Sequence, residues 1–260
     1  MTHRNCALIT GSTSGIGLGI AEAFCANGMN VMLNGFGDAS QIENVRSGLA
    51  ARYGVDVRYH PADMSRPAEI RDFVAAGIEA FGQIDIVVNN AGVQHVQPIE
   101  DFPDEKWDQI IAIDLSSAFH VIKHTIGGMK ARRWGRIINI ASAHGLVASP
   151  YKPAYVAAKH GLVGLTKAVA LGSAEHGVTC NALCPGYVLT PLVKAQIPDQ
   201  AKSRGISEDE VVRTVLLASQ ATKKFVEVSQ LAAFAVFLCT DAAAQITGAA
   251  LPMDGGWTAQ

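Results

Sequence analysis

The chain has 260 residues, and its 21 Lys and Arg against 23 Asp and Glu give a formal net charge of −2 at pH 7. Hydrophobic residues make up 49% of the sequence and charged residues 17%, which excludes an intrinsically disordered chain, because disorder needs low hydrophobicity and high net charge. The charge balance also argues against a nucleic-acid binder with a basic surface, since no excess of Lys and Arg can neutralise phosphates.

Short apolar segments alternate with longer amphipathic segments along the chain. Strands are predicted at 6–10, 30–34, 55–60, 84–89, 136–141, 178–184 and 249–253, and helices at 15–27, 39–53, 67–81, 104–130, 153–175, 190–219 and 229–238. Apolar strands that alternate with helices are typical of a parallel sheet covered on both faces. We expect an α/β fold: a single Rossmann-type, doubly wound domain over residues 1–260, with about seven strands.

Residues 190–220 interrupt this regular alternation. The segment is polar, follows the turn at Pro185-Gly186, and contains Pro191 and Pro198. Because it follows the carboxyl end of a strand, it is predicted to be an active-site lid. A surface excursion without function is the alternative.

Cysteine usage and apolar run lengths indicate the compartment. The five cysteines are odd in number and lie mostly in apolar runs, which favours free thiols in a reducing compartment. No signal peptide is visible, and no apolar run approaches the roughly 18 residues of a membrane span. We expect a cytoplasmic protein that binds neither nucleic acid nor membrane. His120 and His124 have i, i+4 spacing without a third ligand, so no metal site is predicted.

A glycine cluster lies between the first predicted strand and the first predicted helix. Gly11, Gly15 and Gly17 have the spacing G-x3-G-x-G, which permits a tight turn and close approach of the backbone to a pyrophosphate on the helix N-terminus. The intervening Thr13, Ser14 and Ile16 belong to the same predicted dinucleotide site. Alone the motif is weak, but its place after the first strand strengthens it.

The charge pattern predicts whether the dinucleotide carries a 2′-hydroxyl group, as in NAD, or a 2′-phosphate, as in NADP. No Lys or Arg occurs between Asn5 and Val45, whereas an NADP 2′-phosphate needs a basic partner. NAD is therefore predicted. The acid that usually ends the second strand is absent, so Phe36 and the backbone around Gly35 are candidates for ribose recognition. Phe36 as a simple loop anchor is an equal alternative.

Two further strand ends complete the predicted cofactor crevice, because the carboxyl ends of parallel strands share one edge of the sheet. Asp63 and Met64 follow the third strand, where Asp63 can accept from an adenine amino group. Asn90 and Gly92 follow the fourth strand and permit close approach, although the stretch alone could be an ordinary turn.

Tyr155 and Lys159 are the strongest catalytic candidates. Their i, i+4 spacing places both on one helix face, where an ammonium stabilises a phenolate that can exchange a proton with an alcohol or ketone. Ser142 follows the fifth strand and could hydrogen-bond the substrate oxygen. Taken alone, Tyr155 and Lys159 would be interpreted as a pair on a helix surface. Ser142 alone would be interpreted as a helix cap.

Together, these motifs resemble the short-chain dehydrogenase/reductase family. The matching stretches are T-G-x3-G-x-G at 10–17, N-N-A-G at 89–92, Ser142, Y-x3-K at 155–159, Pro185-Gly186 and Thr190-Pro191. The resemblance implies that Ser142, Tyr155 and Lys159 are catalytic. It also implies that Lys159 contacts the nicotinamide ribose, with Val188 and Thr190 beside the nicotinamide. The family's subunit interface uses the helices predicted at 104–130 and 153–175.

Five further stretches lie at 34–37, 94–95, 138–148, 154–161 and 254–258. They resemble a bacterial subgroup of the family that oxidises (R)-3-hydroxybutyrate to acetoacetate with NAD, as a homotetramer. The resemblance implies that the substrate carboxylate contacts Gln94, His144, Lys152 and Gln196, and that Trp257 closes the pocket. An ammonium with amide donors suits a carboxylate, and Gln196 falls in the predicted lid. Lys152 alone would be interpreted as a solvated charge.

Two positions depart from the family pattern. Asp114 stands where the family usually has an Asn that supports a water relay to the catalytic lysine. A carboxylate there is expected to raise the pKa of Lys159 and to shift the pH profile while the relay survives. Tyr187 stands where close relatives often carry Trp, which keeps an aromatic pocket wall.

Alternative functions remain open. A dehydrogenase of another small hydroxy acid would use the same residues. An NADPH-dependent 3-oxoacyl thioester reductase would need a basic 2′-phosphate site and an open channel, which the charge pattern and Trp257 disfavour. A catalytically inactive nucleotide sensor is disfavoured by the intact Ser142, Tyr155 and Lys159.

Overall fold

The computed structural model describes residues 4–259, apart from the side chains of Pro191, Leu192 and Gln196. Its strands are β1 (Cys6–Ile9), β2 (Asn30–Asn34), β3 (Val57–His60), β4 (Ile86–Asn89), β5 (Gly135–Ile140), β6 (Val178–Pro185) and β7 (Ala250–Met253). All pair in parallel, in the order β3-β2-β1-β4-β5-β6-β7. The order reverses between β1 and β4, which opens a crevice at their carboxyl ends. The predicted doubly wound α/β fold is confirmed.

The helices are α1 (Gly15–Ala26), α2 (Ala39–Tyr53), α3 (Pro67–Phe81), α4 (Asp104–Ile111), α5 (Ser117–Arg132), α6 (Pro153–Ser173), α7 (Pro191–Arg204), α8 (Glu208–Glu210) and α9 (Val228–Leu238). Local chemistry explains several helix ends. The Asp38 side chain accepts from the Gln41 amide at the start of α2, and Pro67 occupies the first turn of α3. Gly54 and Gly82 end α2 and α3 in the left-handed conformation.

Two predicted helices are interrupted, so those two predictions were wrong in detail. The segment 104–130 contains a π-helical turn, Ala112–Ser116, between α4 and α5. The segment 190–219 breaks at Gly205, which ends α7 with φ 67°, and α8 continues into a second π-helical turn, Val211–Leu216. Apolar periodicity does not reveal one extra residue per turn, and π turns often occur at functional sites.

The hydrophobic core consists of two layers, one on each face of the sheet. One face packs against α1, α2 and α9, with Phe24 fully buried. The other packs against α3, α5 and α6, with Phe73 fully buried. Because both faces are covered, the strands are predominantly apolar, which is why most of them could be predicted as continuous apolar runs. The edge strand β3, which carries Arg58 and His60, is the least apolar.

The segment predicted to be a lid has a small hydrophobic cluster of its own. Ile197 of α7 packs with Val211, Leu216 and Leu217. All five cysteines are buried and unpaired, as predicted. Within residues 4–259, no helix has both the length and the apolar character needed to cross a bilayer.

Candidate active site

The loop between β1 and α1 needs glycine at the three positions of the G-x3-G-x-G motif. Gly11 and Gly15 adopt left-handed backbone conformations, with φ of 61° and 56°. A Cβ at Gly17 would meet the Gly11 carbonyl oxygen and would lie 2.5 Å from Nδ2 of Asn90. Larger residues at these positions would therefore displace the loop.

Asn90 ties this loop to the end of β4. Its Nδ2 donates to the carbonyl oxygens of Thr10 at 3.0 Å and Gly11 at 2.9 Å. Thr10 Oγ1 in turn accepts from the amides of Asn90 and Ala91, both at 3.0 Å. Asn90 was predicted to let a cofactor approach closely, and the structure shows that its amide holds the loop in shape.

The start of α1 fits a pyrophosphate. Ser14 precedes the helix in an extended conformation, its side chain does not cap the helix, and the first turn carries no acidic residue. The first amides of α1 are thus left for an anion. From β2, Asn34 accepts from the Gly11 amide at 3.2 Å and donates to the Ala62 carbonyl at 2.9 Å, which joins the loop to the chain beyond β3.

The segment after β2 is held through its backbone. Thr13 Oγ1 donates to the Phe36 carbonyl at 3.0 Å, and the Tyr59 hydroxyl donates to the Gly35 carbonyl at 2.8 Å. The Phe36 ring is 68% exposed, so it does not anchor the loop. Its exposed ring is available to an adenosine.

Beyond β3, the two residues predicted to contact the cofactor, Asp63 and Met64, lie in different surroundings. The Asp63 carboxylate accepts from the Ser65 amide at 2.8 Å and from the Ser65 hydroxyl at 2.7 Å. These bonds hold the pKa of the Asp63 carboxyl below its usual value, although partial burial opposes the shift. The Met64 side chain is buried in the core under α3.

A cavity of about 650 Å³ opens at the carboxyl ends of the strands. It brings together most of the predicted site residues: Ile16, Asn90, Gly92, Gln94, Asp114, Ser142, His144, Lys152, Tyr155, Lys159, Tyr187, Val188, Thr190 and Trp257. The predicted cofactor residues Gly11, Thr13, Ser14, Gly15, Gly17, Phe36, Asp63 and Met64 are not among its lining residues. Gln196, the remaining predicted substrate contact, has its side chain outside the described part of the structure.

Lys159 lies at the centre of the polar wall of this cavity. Its Nζ is 5.4 Å from the centre of the Tyr155 ring, one helical turn earlier on α6. The same Nζ donates to the Ile140 carbonyl at 3.1 Å and lies 3.3 Å from Oδ2 of Asp114. The ammonium is therefore fixed between the phenol and a carboxylate.

Asp114 is buried and comes from the π-helical turn between α4 and α5. Its Oδ1 accepts from the Val93 amide at 2.8 Å. Burial, the largest single influence, lowers the pKa of Lys159, but the charges of Asp114, Tyr155 and Cys184 and the hydrogen bond to Asp114 together outweigh burial, so the pKa of the lysine is raised. The carboxylate thus lies beside the lysine and raises its pKa in the expected direction, and the shifted pH profile stays a prediction. A Cβ atom at Gly92 would lie only 2.9 Å from Asp114 Oδ2. The position of the carboxylate therefore requires glycine at residue 92.

Ser142 and His144 form the turn between β5 and α6. Ser142 Oγ accepts from the His144 amide at 3.1 Å, so the serine also has the capping role considered from the sequence. Burial, assisted by the charge of Lys152, lowers the pKa of His144 to about 4. The neutral imidazole is 2.7 Å from Ser149 Oγ through Nε2. His144 therefore offers hydrogen bonds rather than charge.

An aromatic wall closes the other side of the cavity. The Tyr187 and Trp257 rings stack with centres 6.0 Å apart and an interplanar angle of 6°. The His144 ring meets Trp257 edge-on at 5.0 Å and Tyr155 edge-on at 5.9 Å. Asp254 holds the C-terminal turn by accepting from the Thr258 amide at 2.9 Å.

Sequence reasoning missed a buried polar ladder beneath the site. Asn89 of β4 donates to Oδ1 of Asn139 in β5, and Asn139 donates to Thr166 of α6, both at 2.8 Å. The signal that could have indicated this ladder was an Asn within the apolar run of β5.

The cavity is also lined by residues that were not predicted to belong to the site. They are mainly apolar: Val93, His95, Val96, Ile140, Ala141, Pro185, Gly186 and Val193. No cluster of three or more metal-ligating side chains was found within residues 4–259.

This geometry defines the class of protein: an oxidoreductase that uses a nicotinamide dinucleotide, whose pyrophosphate cradle lies beside a Ser, Tyr and Lys arranged for proton exchange with an alcohol. A family model described as enoyl-(acyl carrier protein) reductase matches residues 11–258. The chain belongs to the short-chain dehydrogenase/reductase family.

Three comparisons illustrate its relatives. The chain is 60% identical to a D-beta-hydroxybutyrate dehydrogenase of Rhizobium meliloti over 254 residues, covering 98% of both chains. It is 54% identical over 261 aligned positions to a D-beta-hydroxybutyrate dehydrogenase of Cupriavidus necator, covering 100% of both. The structure of L-sorbose reductase from Gluconobacter frateurii, solved with NADPH and L-sorbose, has a TM-score of 0.93 and 30% identity, covering 99% of this chain and 98% of that one.

Proposed function

We propose that the chain oxidises (R)-3-hydroxybutyrate to acetoacetate with NAD as the hydride acceptor. The observation that carries this proposal is the position of Lys152 in the same cavity as Ser142 and Tyr155. The charge of Lys159 is balanced by Asp114, so Lys152 supplies the positive charge for a substrate carboxylate. The names of the two hydroxybutyrate dehydrogenase relatives support this substrate.

The carboxylate would bind at the Lys152 side of the cavity. Burial lowers the pKa of Lys152, and a bound carboxylate would restore the preference for the ammonium form. The amide of Gln94 would add a donor to the same anion, with Gln196 as a further donor from the lid. Trp257 and Tyr187 would cover the methyl end and exclude water.

Proton transfer would be carried out by residues of α6 and of the turn before it. Tyr155, as the phenolate, would take the hydroxyl proton, and Ser142 Oγ would hold the substrate oxygen in place. The Lys159 ammonium would stabilise the phenolate and hydrogen-bond the ribose of the cofactor. When bound, the nicotinamide ring supplies the acceptor for the hydride that leaves the substrate carbon, with Val188 and Thr190 beside it.

NAD is proposed over NADP because of the charge around the end of β2. Asp38 caps α2 there, and its carboxylate would repel a 2′-phosphate. Thr13 and Phe36 contribute a hydroxyl and an exposed ring, and neither carries a positive charge. An NADPH-dependent 3-oxoacyl thioester reductase would need a cation at this position.

The experiment that tests the carboxylate site compares (R)-3-hydroxybutyrate with (R)-butan-2-ol, which lacks the carboxylate. For the wild-type protein, kcat/KM should be about 100-fold higher for the acid, because a charge-assisted hydrogen bond contributes about 1.5–3 kcal/mol. Lys152→Met should remove most of this preference and leave the KM for NAD nearly unchanged. Lys167→Met, at an exposed lysine of α6, the helix that Lys152 immediately precedes, is the matched control. An unchanged preference in Lys152→Met would refute the carboxylate role.

A homotetramer in the cytoplasm is the proposed working form. Trp107 of α4, Phe119 of α5 and Leu171 of α6 are 41%, 47% and 85% exposed. Large apolar side chains on neighbouring helices are characteristic of an interface between copies of one chain.

A further inference from the structure

Gln220 is a buried polar side chain outside the predicted site. It lies in the segment that returns from the lid to α9 and is 0% exposed. Its Oε1 accepts from the Tyr187 amide, and its Nε2 donates to the Lys224 carbonyl at 2.7 Å. One planar amide thus satisfies a backbone donor and a backbone acceptor from two different segments, which neither an apolar side chain nor a shorter amide could do.

The C-terminal segment packs against the same amide. A Cβ at Gly255, two residues before Trp257, would lie 3.2 Å from Gln220 Nε2. The Thr222 amide also donates to the Gly255 carbonyl at 3.0 Å. A side chain at Gly186 would collide with Gln220 Oε1. Gln220 therefore contacts the segments that carry both members of the aromatic wall, Tyr187 and Trp257.

We propose that Gln220 is a positioning residue that fixes the stacked Tyr187–Trp257 wall and so sets the length of hydroxy acid that the cavity accepts. The wall faces Tyr155 across His144, whose ring touches both Tyr155 and Trp257. Because the wall is attached at the backbone of Tyr187, loss of the Gln220 contact would let both rings retreat from the reacting hydroxyl. The space gained would be at the methyl end of the substrate.

The inference rests on the proposed function, because its readout is substrate selectivity. In Gln220→Met, the side chain keeps its length and loses both hydrogen bonds. The KM for (R)-3-hydroxybutyrate should rise about fivefold to tenfold, as expected for lost buried hydrogen bonds. The KM for NAD should stay within about twofold, and the kcat/KM ratio of (R)-3-hydroxyhexanoate to (R)-3-hydroxybutyrate should rise about tenfold. Gln245→Met, at an exposed glutamine, should change none of these values.

A second variant separates positioning from general damage to the fold. A protonated Gln220→Glu side chain can accept from Tyr187 and donate to Lys224, whereas the ionised form can only accept. Its selectivity, relative to the wild type at the same pH, should be normal near about pH 6 and relaxed near about pH 9, because a buried carboxyl has a raised pKa. This variant decides the question if Gln220→Met does not fold.

The outcomes are distinguishable. If the wild-type protein does not oxidise (R)-3-hydroxybutyrate, the proposed function fails, and the Gln220 comparison is made with the hydroxy acid that it does oxidise and its longer homologue. If the wild type oxidises (R)-3-hydroxybutyrate and both variants keep its chain-length selectivity at every pH, the positioning role is overturned. A loss confined to kcat or to the KM for NAD would overturn it as well.

Discussion

At the scale of single residues, Asp114 and Lys159 form a buried ion pair beside Tyr155. The carboxylate accepts from the Val93 amide and lies 3.3 Å from Nζ of Lys159. An asparagine would keep the amide contact and remove the charge. Burial alone would lower the pKa of Lys159, and Asp114 makes the largest of the contributions that raise it and so keep the ammonium charged at high pH.

Asp114→Asn should therefore change the pH profile. The raised pKa of Lys159 falls in the variant, so the ammonium is lost at lower pH and the alkaline limb of kcat should move down by about one pH unit. Asp108→Asn, an exposed carboxylate of α4, should leave the curve unchanged. Identical kcat–pH curves for wild type and Asp114→Asn would show that the carboxylate does not tune the lysine.

The same pair affects stability against alkali. A folded-state pKa above the unfolded value stabilises the fold below the unfolded lysine pKa, and this stabilisation disappears as pH rises through the folded pKa. The wild type should therefore lose stability as pH rises through that window. Urea unfolding of Asp114→Asn should show a smaller loss across it. An equal loss in both proteins would contradict the assignment of the raised pKa to Asp114.

At the scale of elements, substitution of two helical glycines by alanine should change the stability of the fold in opposite directions. Gly17→Ala in α1 places a methyl group against Gly11 and Asn90, so it should weaken NAD binding at least about tenfold and destabilise the fold by about 1–3 kcal/mol. Gly48→Ala in α2 meets nothing within 4 Å and should stabilise the protein by about 0.5–1 kcal/mol. Thermal unfolding and NAD titration measure both effects. Normal NAD binding by Gly17→Ala would contradict the cradle.

Elements with strong local signals could be predicted from the sequence. Buried strands such as β2 appeared as apolar runs between turn residues, and α2 and α3 have caps that fix their ends. The π-helical turns could not be predicted, because one inserted residue leaves the apolar pattern of the segment 104–130 almost unchanged. The break at Gly205 could not be predicted because the polar segment 190–219 has little apolar periodicity.

At the scale of the whole molecule, sequence spacing could predict which residues surround the cavity, but it predicted few of the contacts that these residues make with one another. Tyr155 and Lys159 share a helix face, so their proximity followed from local geometry. The hydrogen bonds from the Asn90 side chain to the Thr10 carbonyl and from the Tyr187 amide to the Gln220 side chain join segments far apart in the chain. Such contacts depend on the order of the strands and on loop paths, which no local pattern specifies.

The proposed homotetramer can be tested through Trp107. Trp107→Glu places a charge at an exposed ring of α4 and should lower the mass measured by light scattering, with an unchanged circular dichroism spectrum. Asn44→Glu on exposed α2 surface should keep the wild-type mass. A wild-type protein that is monomeric at all concentrations would refute the assembly.

The most direct test of the central claim is the rate of reduced-cofactor formation with (R)- and (S)-3-hydroxybutyrate, each with NAD and with NADP. The account predicts that kcat/KM for (R)-3-hydroxybutyrate with NAD exceeds the other three combinations by about 100-fold or more. Equal rates for the enantiomers would contradict the proposed carboxylate and aromatic contacts. A preference for NADP would contradict the charge argument at the end of β2, and oxidation of only a different small hydroxy acid would refute the proposed substrate.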